Sequence, residues 1–188
     1  MGAPRTAPNV DNYLISKGYI MIAKWTNGVV GAYADVGNCT RFEMEPTEET
    51  LPHFSSRNAI KEQDQEVVIQ TGCTINFSLD EIAVENLRMF LKATQSGTRI
   101  LYGNMNTNQL YAIKFIPTNE VGPSVTYEFW KVKVTPNGAL SLIGDEYTVM
   151  SFSGKVLAER AGHATSPFFT ATYDTTTSST TTTTSTAA

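Results

Sequence analysis

The chain has 188 residues, a formal net charge of −4 and 41% hydrophobic residues. That length supports one domain with a substantial core and is too short for two large ones. The slight acidity argues against a protein that grips nucleic-acid phosphates through a basic patch, and no apolar run is long enough for a secretory signal or a membrane span.

Residues 1–17 read as an N-terminal arm, with Gly2, Pro4, Pro8 and Asn9 and no periodicity. A single domain then runs over residues 18–163. Tyr19-Ile-Met-Ile-Ala-Lys24 is apolar and strand-prone, and Asn27-Gly28 follows at once. Asn-Gly between two apolar runs is the strongest short hairpin signal. Residues 29–33 supply the return strand, and Asp35-Val-Gly-Asn38 a further turn.

From Cys39 to Glu45 the residues alternate. Phe42 and Met44 point one way, and Arg41, Glu43 and Glu45 the other. A polar connection over residues 46–65 carries Leu51-Pro-His-Phe-Ser-Ser-Arg57. A second alternating run, residues 66–77, places Val67, Ile69, Cys73 and Ile75 on one face and Glu66, Gln70, Thr74 and Asn76 on the other. This is the pattern of an antiparallel sheet with one wet face. Hairpin loops usually hold two to five residues, so an ordered connection this long points to work outside its own domain. If the flanking strands pair, Cys39 and Cys73 come close enough for a disulfide. Two cysteines alone make no disulfide framework, however, and the chain is expected to fold in a reducing cytoplasm.

Ser78-Leu-Asp-Glu81 fits a capping box, with Ser78 as N-cap. Leu79, Ile82, Ala83, Leu87, Phe90, Leu91 and Thr94 then recur at three- and four-residue steps, which predicts an amphipathic helix over 79–94, ended by Gly97. The remainder reads as strands: 109–116, closed by Pro117; 124–135; 139–143 after the turn Pro136-Asn-Gly138; and 147–156. The fold class is therefore mostly β (α+β), a two-sheet β-sandwich or barrel with one flanking helix, a long inter-strand loop and extended terminal arms. Residues 164–188 form a C-terminal arm. Its Thr/Ser-rich end, from Thr175, is too poor in apolar surface to offset its ordering entropy in a monomer.

No pattern points to catalysis. His53 and His163 are the only histidines, and they read as surface or interface residues, since no metal-ligand spacing accompanies them. Glu43, Glu45 and Glu66 could cluster on a sheet face, as a glycosidase pair requires, but a solvated strand face is the plainer reading. Nucleophile-elbow, phosphate-loop and dinucleotide fingerprints are missing from the sequence. The tyrosines and tryptophans lie inside strand-like runs without a basic stripe among them, so a single-strand stacking platform is disfavoured. The chain is expected not to be an enzyme and to need no cofactor.

Taken together, several segments resemble the major tail tube proteins of long-tailed, siphophage-type bacteriophages, which are related to the tube proteins of type VI secretion. These are the opening hairpin with Asp35-Val-Gly-Asn38, the segment with Phe54-Ser-Ser-Arg57 and Lys61-Glu-Gln-Asp64, the predicted helix, and Trp130-Lys-Val-Lys-Val-Thr-Pro136 leading into Leu140-Ser-Leu-Ile-Gly144. The resemblance implies a structural virion protein that forms hexameric rings stacked into a tube, the conduit for genome ejection. The virion tail would be assembled in the host cytoplasm. The implied partners are the protein itself and the tape-measure, tail-tip and tail-terminator proteins, with double-stranded DNA passing through without specific binding.

The resemblance also implies a continuous inner barrel to which each of six subunits adds about four strands; at about 4.8 Å spacing and about 40° tilt it would have a backbone diameter of about 45–50 Å and a bore of about 35 Å, wide enough for duplex DNA. Glu43, Glu45, Glu66 and Gln70 are the candidate lumen residues, since carboxylates would keep phosphate from sticking. Leu51, Phe54, Arg57 and Asp64 are the candidate inter-subunit residues, apolar anchors beside charge in a polar segment. The rival reading is a β-sandwich binding module, such as a capsid decoration or adhesin domain, which would stay monomeric or trimeric.

Overall fold

The computed structural model describes residues 8–103 and 108–173. In chain order the strands are β1 (Gly18–Thr26), β2 (Val29–Val30), β3 (Ala34–Asp35), β4 (Cys39–Asn58), β5 (Ile60–Leu79), β6 (Thr94–Ser96), β7 (Arg99–Leu101), β8 (Leu110–Pro117), β9 (Val125–Pro136), β10 (Met150–Val156) and β11 (Phe169–Tyr173), with one α-helix, α1 (Val84–Leu91). The Thr/Ser-rich end from Thr175 and the first seven residues lie outside the described residues.

Nine strands share one antiparallel sheet: seven follow the path β2-β1-β8-β9-β10-β5-β4, β3 also pairs with β1 and β11 with β9, while β6 and β7 pair separately. Asn27 and Gly28 both have positive φ, as a tight hairpin between β1 and β2 requires. The path folds over at β9. One end of β9 pairs with β8 and β11, and the other with β10. The far ends of the sheet thereby meet face to face: Phe42 on β4 stacks on Phe115 of β8 at 5.4 Å and lies 6.0 Å from Phe129 of β9. The result is the expected mostly β, sandwich-like fold with one helix. Its core contains Ile20, Ile75, Phe77, Leu79, Ile113, Phe129, Val132, Met150 and Phe152. Gly154 marks how closely the layers approach, since a Cβ there would sit 2.7 Å from Val132 and 2.8 Å from Ile75.

Three expectations are corrected. The connection over 46–65 is not a loop: β4 and β5 run on as one hairpin of two 20-residue strands that turns at Asn58-Ala59-Ile60. Pro46 and Pro52 look like terminators in the sequence. Yet β4 is an edge strand, and an edge tolerates a residue without an N–H. Thr47, Thr50, Leu51, Val67, Val68, Ile69 and Thr71 then supply strand propensity on both sides.

The helix is also shorter than 79–94. Residues 73–79 alternate strictly between buried and half-buried, and Ser78 and Leu79 pair with Ser151 and Met150 of β10. Sheet pairing therefore wins over the capping box. The helix starts at Val84 after Ala83, which makes no side-chain cap, and ends in a left-handed Lys92. Asp80 and Glu81 hold the preceding turn instead. Asn38 donates from its side chain to Asp80 (2.7 and 2.9 Å) and from its backbone N–H to Glu81 Oε1 (3.1 Å). Asn86, buried on α1, donates to the carbonyls of Val36 (2.8 Å) and Glu81 (3.1 Å). Gly97 serves the β6–β7 turn rather than the end of the helix.

Finally, 139–143 is not a strand. β9 ends at Pro136 and β10 starts at Met150, so residues 137–149 form a loop. The cysteines are both free. Cys39 lies opposite Leu79 and Cys73 opposite Pro46, so the register holds them roughly 20 Å apart along the ladder.

Residues 8–17 run along the 118–123 segment through Ile15 N–H to the Val121 carbonyl (3.3 Å) and Thr118 N–H to the Lys17 carbonyl (2.8 Å). At the other terminus, Trp130 anchors the chain before β11: His163 stacks on its ring at 3.6 Å, and its indole N–H donates to the Ser166 carbonyl at 2.9 Å. Phe169 packs on Phe129, and β11 pairs along the β9 edge.

Candidate functional site

The β4–β5 hairpin has two parts. Near its base, residues 39–46 and 73–79 lie over the core. Beyond Thr47 and Gly72 the hairpin leaves the domain and continues as a free two-stranded arm. From 47 to 71 the described side chains are exposed apart from half-buried Ser55 and Gly72 at the border. At roughly 3.3 Å per residue, the arm extends about 35–40 Å.

Residues directly opposite in an antiparallel ladder share a face. Glu43 faces Asn76, Glu45 faces Thr74 and Glu49 faces Gln70. Glu43, Glu45 and Gln70 therefore lie on one polar face, as expected. Glu66 does not. Ile69 is an extra residue in β5, since Glu49 pairs with Gln70 and Thr50 with Val68. A bulge of this kind exchanges the faces of everything beyond it. Glu66 falls on the opposite face from Gln70, where it accepts a 2.6 Å hydrogen bond from the Thr50 hydroxyl. No sequence pattern marks a one-residue bulge.

Nearer the domain, Arg41 makes a 2.7 Å ion pair with Glu43 on the exposed surface. The side-chain hydrogen bond from Arg41 lowers the Glu43 pKa, and the same bond raises that of Arg41.

The candidate inter-subunit residues all sit on the arm. Leu51 pairs with Val67, and Phe54 with Gln63. Leu51 and Phe54 lie on opposite faces. Asp64 is a second bulge residue, and it contacts His53 Nδ1 at 2.6 Å. Arg57 is exposed beside the turn. Further apolar residues of the arm face solvent: Ile60 at the turn is 73% exposed, Ile69 55%, and Val67 and Val68 48% each, alongside Leu51 at 59% and Phe54 at 47%. Both faces of the arm thus present apolar side chains to solvent.

Charge is concentrated here too. Residues 41–70 hold seven acids and three bases, hence −4, the whole net charge of the chain. The acids lie mostly along the shaft, whereas Arg57 and Lys61 flank the turn. A second exposed apolar group, at Leu142, Ile143 and Tyr147, occupies the 137–149 loop.

Among the described residues, no three of His, Cys, Asp and Glu come together in a way that would hold a metal ion. No helix among them is long and apolar enough to cross a membrane. A cavity of about 470 Å³ opens between β1, β3 and α1, lined by Ile22, Val36, Arg88, Met89 and Tyr111 among others. Burial raises the Tyr111 pKa there.

A family model described as "Protein of unknown function UCP028589" matches residues 13–100, less than half of the chain. That span includes the whole β4–β5 hairpin. No curated protein matches the sequence. Among solved structures, a chain from "Cryo-EM structure of the anti-feeding prophage (AFP) baseplate, 6-fold symmetrised" is similar at 11% identity, covering 80% of this chain and 92% of that one with a TM-score of 0.46.

Proposed function

We propose that this protein is a structural component of a phage tail or a phage-tail-like particle, and that it polymerises as stacked hexameric rings into a tube through which the genome is ejected. The observation that carries the reading is the free arm. A lone two-stranded hairpin is at best marginally stable in water, and this one exposes six large apolar residues on two faces. Burying the exposed halves of those side chains is worth roughly 5–8 kcal/mol. Association of two bodies costs roughly 4–15 kcal/mol. One arm in one neighbour would hold weakly. Several arms engaging together, as between two rings, would hold firmly, because each contact after the first is effectively intramolecular.

The rest of the reading follows from the sequence resemblance and the polar face. Glu43, Glu45 and Gln70 are the proposed lumen residues, and they would present carboxylates to passing duplex DNA without binding it. Glu66, on the other face, belongs to the contacts of the arm. The proposed partners beyond other copies of the chain are the tape-measure, tail-tip and tail-terminator proteins, in a virion assembled in the host cytoplasm. The role is structural rather than catalytic.

Negative-stain electron microscopy of the purified full chain, with light scattering across a concentration series, tests this. Rings or hollow tubes with a bore of a few nanometres are expected above a threshold concentration. A monomer at every concentration, even with the tail-tip complex added as a nucleus, would sink the tube reading and favour a binding module.

A further inference from the structure

We infer that the turn of the arm docks on the 137–149 loop of a second copy of this chain, making a head-to-tail contact along the long axis of the hairpin. The inference rests on the assembly reading above and names the surface that receives the arm.

The two surfaces lie at opposite poles. β10 runs antiparallel to β5, with Met150 opposite Leu79 and Val156 opposite Cys73. The arm continues past Cys73, whereas the 137–149 loop precedes Met150. Along β5 the two ends are 19 residues apart, roughly 60 Å.

Their chemistry is complementary. At the loop, Leu142 is 83% exposed and Ile143 and Tyr147 are each 95% exposed. The loop nevertheless has an internal brace: the Ser141 hydroxyl donates to the Ile143 carbonyl (3.1 Å), and the Thr148 hydroxyl donates to the Ser141 carbonyl (3.0 Å). Asp145 and Glu146 stand beside this apolar group, both exposed. At the other pole, Phe54 and Ile60 are exposed beside the cations Arg57 and Lys61. None of these four charged residues takes part in an ion pair among the described residues. Apolar centres flanked by opposite, uncommitted charges are what a hot-spot contact with an electrostatic rim requires.

When the contact runs end to end along the hairpin axis, a pair of copies leaves one loop and one arm unfilled. Repetition along the hairpin axis makes an open polymer. The complementary charges at the two poles make the occupant a second copy of this chain, and the end-to-end contact orients it in the same sense as the first.

A charge swap tests the contact. Asp145→Lys with Glu146→Lys, and separately Arg57→Glu with Lys61→Glu, should each raise the threshold concentration for polymer, read by sedimentation, at least about tenfold. Combining all four should bring it back to within about threefold of wild type, with attraction restored in the reversed sense. Circular-dichroism melts should be unchanged throughout, since all four side chains are exposed. Ile143→Ser with Tyr147→Ser should also raise the threshold, without rescue by either charge set.

If wild type polymerises and the loop variants polymerise at the same concentration, this contact is overturned and the assembly reading stands. Failure of the fourfold variant to recover, with both double variants impaired, would overturn the pairing of these two poles. A wild type that never polymerises overturns both.

Discussion

The base and the arm of the β4–β5 hairpin are built from the same two strands in the same ladder, yet different forces hold them. At the base, Phe42, Met44, Cys73, Ile75, Phe77 and Leu79 sit over the aromatic core. In the arm the ladder continues, while Leu51, Phe54, Ile60 and Val67–Ile69 face water. Backbone hydrogen bonds support both regions, but each contributes a net of only about 1 kcal/mol. Apolar burial supports the base alone. The comparison teaches that a strand can be complete as local structure and incomplete as a packed element. In the proposed assembly, the missing packing is where another copy of the chain docks.

The largest break in this comparison comes from the base. Phe77 is fully buried, with its ring 4.8 Å from Phe152 and 6.5 Å from Phe42. Phe77→Ala should cost about 3–5 kcal/mol in urea-unfolding experiments. The opposite intervention replaces residues 48–71 with Asn-Gly, which closes Thr47 onto Gly72 with a two-residue turn. Here unfolding stability should move by no more than about 1 kcal/mol, while polymerisation disappears. A large loss of stability from the arm replacement would mean that the arm supports the fold after all.

Milder substitutions sharpen the contrast. Leu51→Ser and Phe54→Ser should leave the monomer within about 0.5 kcal/mol of wild type and raise the threshold for polymer about tenfold or more together. Because the two residues occupy opposite faces, each single change should give part of the effect, and the parts should add. Saturation of the effect by either one would show that only one face of the arm is covered.

The lumen assignment gives a smaller effect, set by the same bulge. Glu43→Lys with Glu45→Lys should leave tubes intact and slow DNA ejection, whereas Glu66→Lys should not slow it. Equal slowing by Glu66→Lys would mean that the bulge at Ile69 does not separate the faces in the tube.

Much of the fold was legible because it rests on short-range pattern. Asn27-Gly28 gave its hairpin, 73–79 its alternation, and Pro117 the end of β8. The polar surroundings of Leu51, Phe54 and Arg57 point to their exposure, which the structure shows. What failed depends on distant partners. Pro46 and Pro52 argue for a loop until the edge position of β4 is known. Ser78-Leu-Asp-Glu81 looks like a helix start because the seven-residue strand β10 that claims Ser78 is more than 70 positions away. Residues 139–143 are apolar enough for a strand, and only the absence of a partner ladder leaves Leu142 and Ile143 in solvent. The separation of Glu66 from Gln70 hangs on one unpaired residue.

The smallest prediction concerns Arg41 and Glu43, where the base meets the arm. The hydrogen bond from Arg41 holds the Glu43 pKa below the usual carboxylate range. The pair is therefore fully formed above that usual range and is lost as pH falls through the lowered value. Both side chains are exposed to solvent, and pairs of this kind leave stability nearly unmoved, so the thermal midpoint is the wrong readout. Carboxyl NMR is the right one: Arg41→Met should return the Glu43 titration to the ordinary range. An unchanged titration would mean the pair does not persist in solution. The pair also bears on the lumen. A guanidinium 2.7 Å away offsets the charge that Glu43 presents, whereas none of the described ion pairs involves Glu45. Of the two single variants, Glu45→Lys should therefore slow ejection more than Glu43→Lys, and the Arg41→Met background should remove the difference.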